Sequence, residues 1–129
     1  MSVQENRAKW VAALRSGKYN QSVACLKEPR ENGYCCLGVL CSVYEKTTGN
    51  VLPKTESGYY DVEEETLAPF PQVKEWVGLK GDQGSFAATK GVPATMLTTL
   101  NDTYEEWDFN KIADLIEFEP YGLFEGSVA

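Results

Sequence analysis

The sequence predicts an α+β fold in which four to five helices surround a buried central helix at about residues 34–47, beside a small, mostly antiparallel sheet. The run YCCLGVLCSVY at residues 34–44 is the most apolar in the chain. Its apolar side chains recur at the i, i+3, i+4, i+7 spacing of a helix packed on both sides, beginning at Leu37. Four further segments have amphipathic helical spacing, and short segments between them alternate as strands do.

The surrounding helices each have a sequence signal at one end. Gly17 is placed to end the first helix as a C′ glycine. Gly78, followed by the apolar Leu79, is placed to end the helix that starts near Pro71. Pro71 and Pro93 can each occupy a first helical turn, and Asp108 is a good N-cap for the last helix. Short strands are predicted at 19–26, 51–52, 58–62 and 85–89.

Length and composition favour a single domain covering residues 1–129. With 129 residues, of which 43% are hydrophobic, the chain has enough apolar material for one core. No stretch is apolar enough to span a membrane, and charged side chains occupy the first twenty residues where an export signal would be apolar. We therefore expect a cytosolic protein with reduced cysteines and no membrane partner.

The charge is negative overall but unevenly distributed. The formal net charge of −7 argues against direct nucleic-acid binding over a broad surface. Residues 1–31, however, contain six Lys and Arg against three Glu. This asymmetry is compatible with a local anion site, and it is equally compatible with an ordinary solvated helix face.

Catalytic and metal-binding patterns are weak. The chain has no histidine, the commonest general base at neutral pH. The cysteines at 25, 35, 36 and 41 lack zinc-site spacing, and their apolar setting favours a core role over a nucleophilic one. The acidic residues of 102–108 could serve a glycosidase or a magnesium site, but a solvated loop and helix capping explain them more simply. No metal or cofactor is expected.

A polar group at the end of the first helix is the best candidate for ligand binding. Arg15 and Lys18 can neutralise phosphates, Tyr19 can stack on a base or ribose, and Gln21 can recognise polar edges. Ser16 lies among them. The competing interpretation is that these are solvent-exposed residues without a binding role, since a few polar residues often cluster at a helix end.

Several segments resemble a family of small proteins of unassigned function in tailed bacteriophages. They are WVAALRSGKYNQ at 10–21, YCCLGVLC at 34–41, PQVKEWVGL at 71–79, LND at 100–102 and FNKIADLIE at 109–117. The resemblance implies expression in the host bacterial cytoplasm, and by analogy a counter-defence role. Its polar positions extend the candidate ligand-binding set, which becomes Arg15, Ser16, Lys18, Tyr19, Gln21, Asn101 and Asp102.

Three functions follow as hypotheses. The first is a non-enzymatic, homo-oligomeric binding protein that sequesters a phosphate-bearing nucleotide immune signal, of the cyclic dinucleotide or cyclic ADP-ribose type. The second is an acidic inhibitor that imitates nucleic acid and blocks a host defence protein. The third is a small enzyme that depends on a cysteine such as Cys36 or a carboxylate such as Asp102.

Overall fold

The helical part of the α+β prediction is confirmed. The computed structural model describes residues 2–23, 26–28, 33–53, 66–68 and 70–125. This part of the chain contains five helices, which are α1 (Val3–Arg15), α2 (Cys36–Thr48), α3 (Pro71–Val77), α4 (Leu97–Thr103) and α5 (Phe109–Phe118). None of these helices combines the length and the apolar character that a bilayer span needs.

The predicted central helix is α2, and every residue from Cys36 to Tyr44 is buried. Its N-cap is Cys35, whose Sγ accepts a hydrogen bond from the backbone N–H of Gly38 at 3.4 Å. Its C-cap is Gly49, which has the left-handed φ of 78° that glycine readily adopts. Helices α1, α3 and α4 contact it, so α2 lies inside the fold as its composition predicts.

Helix α1 packs between α2, α3 and α5. Trp10, Val11 and Leu14 form its buried face. The indole Nε1–H of Trp10 donates a hydrogen bond to the backbone carbonyl of Cys36 at 3.0 Å, which satisfies its one polar atom inside the core. This hydrogen bond joins the middle of α1 to the first turn of α2.

The sheet is small and mixed, so the prediction of a mostly antiparallel sheet is wrong. Three strands of two residues each, β1 (Asn20–Gln21), β2 (Lys27–Glu28) and β3 (Gly33–Tyr34), lie in the order β1-β3-β2. Strands β1 and β3 are parallel, and only β2 and β3 are antiparallel. Strand β2 runs opposite to β1, and β3 runs opposite to β2. Because β3 lies between them, it is parallel to β1 and antiparallel to β2.

Several helix and strand boundaries in the structure differ from the predicted ones. The helix predicted to open at Pro93 begins at Leu97 instead, and the strand predicted at 85–89 is reduced to one bridge between Ser85 and Met96. No strand forms at 51–52, whereas the strand predicted at 58–62 lies outside the described residues. By contrast, the caps predicted for α3 and α5 are confirmed at Gly78 and Asp108.

Candidate functional site

A groove between the end of α1 and the last turns of α2 holds part of the predicted site. It has a volume of about 350 Å³. We call it the α1–α2 groove, and its lining residues are Ala12, Ala13, Ser16, Lys18, Tyr19, Val43, Lys46 and Thr47. Helical spacing explains the set, because residues 12, 13 and 16 share one face of α1 and residues 43, 46 and 47 share one face of α2. The lining combines two lysines, three hydroxyls and an apolar strip.

Lys46 and Tyr19 are joined at the edge of the groove. The Lys46 Nζ donates a hydrogen bond to the Tyr19 hydroxyl at 3.0 Å and lies 5.1 Å from the centroid of its ring. The Tyr19 hydroxyl is also 2.9 Å from the Oγ of Ser42. The hydrogen bond to Tyr19 stabilises the charged form of Lys46 and raises its pKa.

The ring of Tyr19 is already engaged by two neighbours. It meets the ring of Tyr34 edge to face, with centroids 5.0 Å apart and planes at 85°. Lys46 provides the cation over it. A ligand base that stacks on Tyr19, as proposed from the sequence, would share the ring with these two neighbours.

Arg15 points away from the groove residues and pairs with α5. Its Nη2 lies 2.6 Å from Asp114 Oδ1 and 3.2 Å from Glu117 Oε1, and its Nη1 donates to Glu117 Oε2 at 3.2 Å. Hydrogen bonds to Glu117 and then to Asp114 raise the pKa of Arg15. Two carboxylates therefore already compensate the charge of the Arg15 guanidinium, which the sequence analysis proposes as a phosphate ligand.

Gln21, Asn101 and Asp102, which the sequence places in the candidate ligand-binding set, lie close together but outside the lining of the groove. Gln21 Nε2 donates to Asn101 Oδ1 at 3.0 Å and to the carbonyl of Trp107 at 3.1 Å. Asn101 Nδ2 donates to the carbonyl of Ser22 at 2.7 Å and to Asp102 Oδ1 at 3.1 Å. These amide groups connect the segment after α1 to α4 and to the loop that follows it.

The sequence prediction missed the half of the groove that α2 contributes. Val43, Lys46 and Thr47 lie near the end of α2, which the sequence predicts to be buried along its length, whereas the continuous burial ends at Tyr44. A lysine in a last helical turn is normally explained by the helix dipole. The signal in the sequence is the change from apolar to polar residues after Tyr44. The proximity of Lys46 to Tyr19 is visible only in the fold.

The described cysteines are packing residues. Cys35, Cys36 and Cys41 are all buried. Cys36 Sγ lies 3.8 Å from the carbonyl of Leu97, so it contacts α4 inside the core. Cys25 lies outside the described residues. Within the described ranges, no three Cys, Asp or Glu side chains are grouped as metal ligands would be.

One family profile matches this chain. The family is described as a domain of unknown function (DUF8296), and the match covers residues 2–119. It therefore includes both sides of the α1–α2 groove as well as α5. No curated protein and no solved structure matches the chain.

Proposed function

We propose that this chain, which belongs to the DUF8296 family of unknown function, is a non-enzymatic protein that binds a phosphate-bearing nucleotide in the α1–α2 groove. The phage resemblance supports a counter-defence setting in the host bacterial cytoplasm. The ligand would then be an immune signal of the cyclic dinucleotide or cyclic ADP-ribose type, and binding would sequester it. The observation that carries the proposal is a groove with two lysines and no carboxylate in its lining, in a chain of net charge −7.

The absence of acids from this lining distinguishes the groove from three other depressions on the described part of the chain. A larger one next to α3 also has two lysines, but its lining includes Glu75 and Glu125. A smaller one between α1 and α5 includes Glu117 and Glu119, and one beside Trp107 includes Glu106. A carboxylate repels a phosphate at short range, whereas Lys18 and Lys46 attract it. The α1–α2 groove is therefore the better anion site among them.

The shape and polarity of the groove also fit part of a nucleotide. Small-molecule sites have volumes of about 300–1,000 Å³, and the groove lies near the lower limit. Ala12, Ala13 and Val43 provide an apolar strip for a base or ribose face, while the hydroxyls of Ser16 and Thr47 can hydrogen-bond to phosphate or sugar oxygens. Because the groove is open, a larger cyclic dinucleotide could extend beyond it.

Calorimetric titration with cyclic di-AMP, cyclic di-GMP, cyclic ADP-ribose and inorganic phosphate tests the proposal. We expect at least one nucleotide to bind more tightly than phosphate, with affinity falling as salt rises because the lysine charges are screened. Native mass spectrometry of the same complex counts subunits and tests the expected homo-oligomer. If no nucleotide in this panel binds, the proposed function is wrong.

Removing either lysine is expected to weaken binding without weakening the fold. Lys18→Ala and Lys46→Ala should each raise the dissociation constant about 10- to 100-fold, because a hydrogen bond to a charged group contributes about 1.5–3 kcal/mol. Lys90→Ala changes the charge equally at an exposed turn outside the groove and should leave the dissociation constant unchanged. Equal losses in all three variants would mean that net charge, and not the groove, attracts the ligand.

Arg15→Ala is expected to have a smaller effect on binding than either lysine variant. The guanidinium is already paired with Asp114 and Glu117, and exposed ion pairs contribute little to stability. Calorimetry and thermal melting should both give values close to wild type. A loss of affinity as large as that of Lys18→Ala would place Arg15 back in the ligand site, as the sequence suggests.

A second candidate function is supported by an exposed acidic segment. Asp102, Glu105, Glu106 and Asp108 are all exposed, in the loop between α4 and α5 and at its ends. Such a surface could imitate phosphates and occupy the basic cleft of a host protein. Two of the four are used locally, since Asp102 accepts from Asn101 and Asp108 caps α5. A pulldown from host lysate that retains a partner at low salt and loses it at high salt would favour this function.

A further inference from the structure

We propose that Tyr19, held by Ser42, is a positioning residue that directs the ammonium group of Lys46 toward a ligand phosphate in the α1–α2 groove. This inference rests on the proposed function and deepens it. It assigns to Tyr19 a role different from base stacking, and it adds Ser42 and Lys46 to the residues that the sequence singles out.

The hydrogen bonds form a chain with a fixed inner end. Because the Tyr19 oxygen accepts a hydrogen bond from Lys46 Nζ at 3.0 Å, its own O–H is available to donate to the Oγ of Ser42 at 2.9 Å. Ser42 is only 6% exposed and belongs to the central helix, so its position is set by the core. These two hydrogen bonds therefore restrain the ammonium group of Lys46 relative to the buried part of α2.

Ring contacts fix the middle of this chain. Tyr34 in β3 packs edge to face against Tyr19 at 5.0 Å between centroids. Lys46 also lies over the Tyr19 ring, so the lysine is held by a cation–π contact as well as by the hydroxyl. A lysine side chain is long and flexible, and ordering it before the ligand arrives reduces the entropy lost on binding.

The donor count of Lys46 then favours a phosphate as its ligand. An ammonium group has three N–H donors, and Tyr19 accepts one of them. The other donors can hydrogen-bond to oxygens of one phosphate group at the groove, next to Lys18. The remaining donors of Lys46 thus fit an anionic group with at least two accessible oxygens, which the proposed phosphate provides.

The test uses Tyr19→Phe and Ser42→Ala in the full chain, with Tyr121→Phe as the matched control. Phenylalanine keeps the ring contacts of Tyr19 and removes only the hydroxyl, and Tyr121 is an exposed tyrosine outside the groove. The first measurement is the pKa of Lys46 in the free protein, obtained from an NMR pH titration of its side-chain carbons. The second is the affinity for inorganic pyrophosphate, measured by calorimetry.

We expect Tyr19→Phe to lower the pKa of Lys46, because the hydroxyl that stabilises the charged form is removed. Pyrophosphate affinity should fall about 3- to 10-fold in Tyr19→Phe and less in Ser42→Ala, with melting temperatures near wild type. Tyr121→Phe should change neither quantity.

The outcomes separate this inference from the proposed function. If wild-type protein binds no pyrophosphate or nucleotide, the proposed function fails, and the pKa of Lys46 still tests whether Tyr19 positions it. If Tyr19→Phe leaves both the pKa and the affinity unchanged, the positioning role is wrong. If Tyr19→Phe does not fold, the same two readouts in Ser42→Ala decide, and unchanged values there overturn the inference.

Discussion

Replacing Gly38 with alanine is expected to cause a large loss of stability. Gly38 lies in the first turn of α2 against the backbone of Leu26, and a Cβ built on it would overlap the Leu26 carbonyl oxygen and lie 2.6 Å from the carbonyl carbon. The obstacle is backbone, so no side-chain rotation can relieve it. Overpacking usually costs about 1–3 kcal/mol, but that range assumes neighbours that can move. We expect a loss of about 4 kcal/mol or more in the free energy of unfolding.

Urea unfolding followed by circular dichroism measures this loss, with Gly49→Ala as the control. Gly49 gains the same methyl group with nothing within 4 Å of it, but at a positive φ of 78°. That left-handed conformation costs a non-glycine residue about 1–2 kcal/mol. A Gly38→Ala variant as stable as Gly49→Ala would contradict the close approach of α2 to Leu26.

Asn101→Ala is expected to reduce the free energy of unfolding by about 2–4 kcal/mol. The side chain is 5% exposed, and its two ends bond to Gln21 and to the backbone of Ser22. Alanine removes the donor that the Ser22 carbonyl uses and one of the two acceptors of Gln21, which keeps the Trp107 carbonyl, and it leaves a small cavity. The expected loss therefore comes mainly from the cavity and from the half-buried Ser22 carbonyl.

Thermal and urea unfolding of Asn101→Ala and of Asn110→Ala provide the comparison. Asn110 is exposed on α5, so its replacement should change stability by less than about 0.5 kcal/mol. If Asn101→Ala instead kept wild-type stability and abolished nucleotide binding, Asn101 would belong to the ligand site. That result would restore the interpretation reached from sequence alone.

The helices could be predicted because their signals are local. The apolar period from Leu37 to Tyr44 identifies α2, and the residues at Gly78 and Asp108 mark helix ends through their own backbone or side-chain chemistry. Each signal lies within a few residues of the structure it predicts, so the sequence contains it directly.

The sheet and the start of α4 depend instead on distant partners. A strand of two residues has no period, so the direction of β1 against β3 could not be inferred. Pro93 is a good opening residue for a helix, yet the backbone of Phe86 donates to Thr95 at 2.9 Å and Ser85 bridges Met96. These pairings keep the chain extended up to Met96, so α4 begins at Leu97.

The candidate site was predicted in part for the same reason. Ser16, Lys18 and Tyr19 are near neighbours in sequence and line one groove. The partners of Arg15 lie on α5, about a hundred residues away, and nothing local indicates that they neutralise it. Lys46 joins Tyr19 only because α2 packs beside the end of α1.

Methyl NMR of the protein titrated with cyclic di-AMP, cyclic di-GMP and cyclic ADP-ribose tests most directly whether the α1–α2 groove is the ligand site. Our account predicts that one of them shifts the methyl signals of Ala12, Ala13, Val43 and Thr47, which line the groove. The signals of Val3 and Val92, which line depressions that contain glutamate, should stay in place. Shifts centred on Val3 or Val92 with the groove signals unmoved, or no shift with any of the three nucleotides, would contradict it.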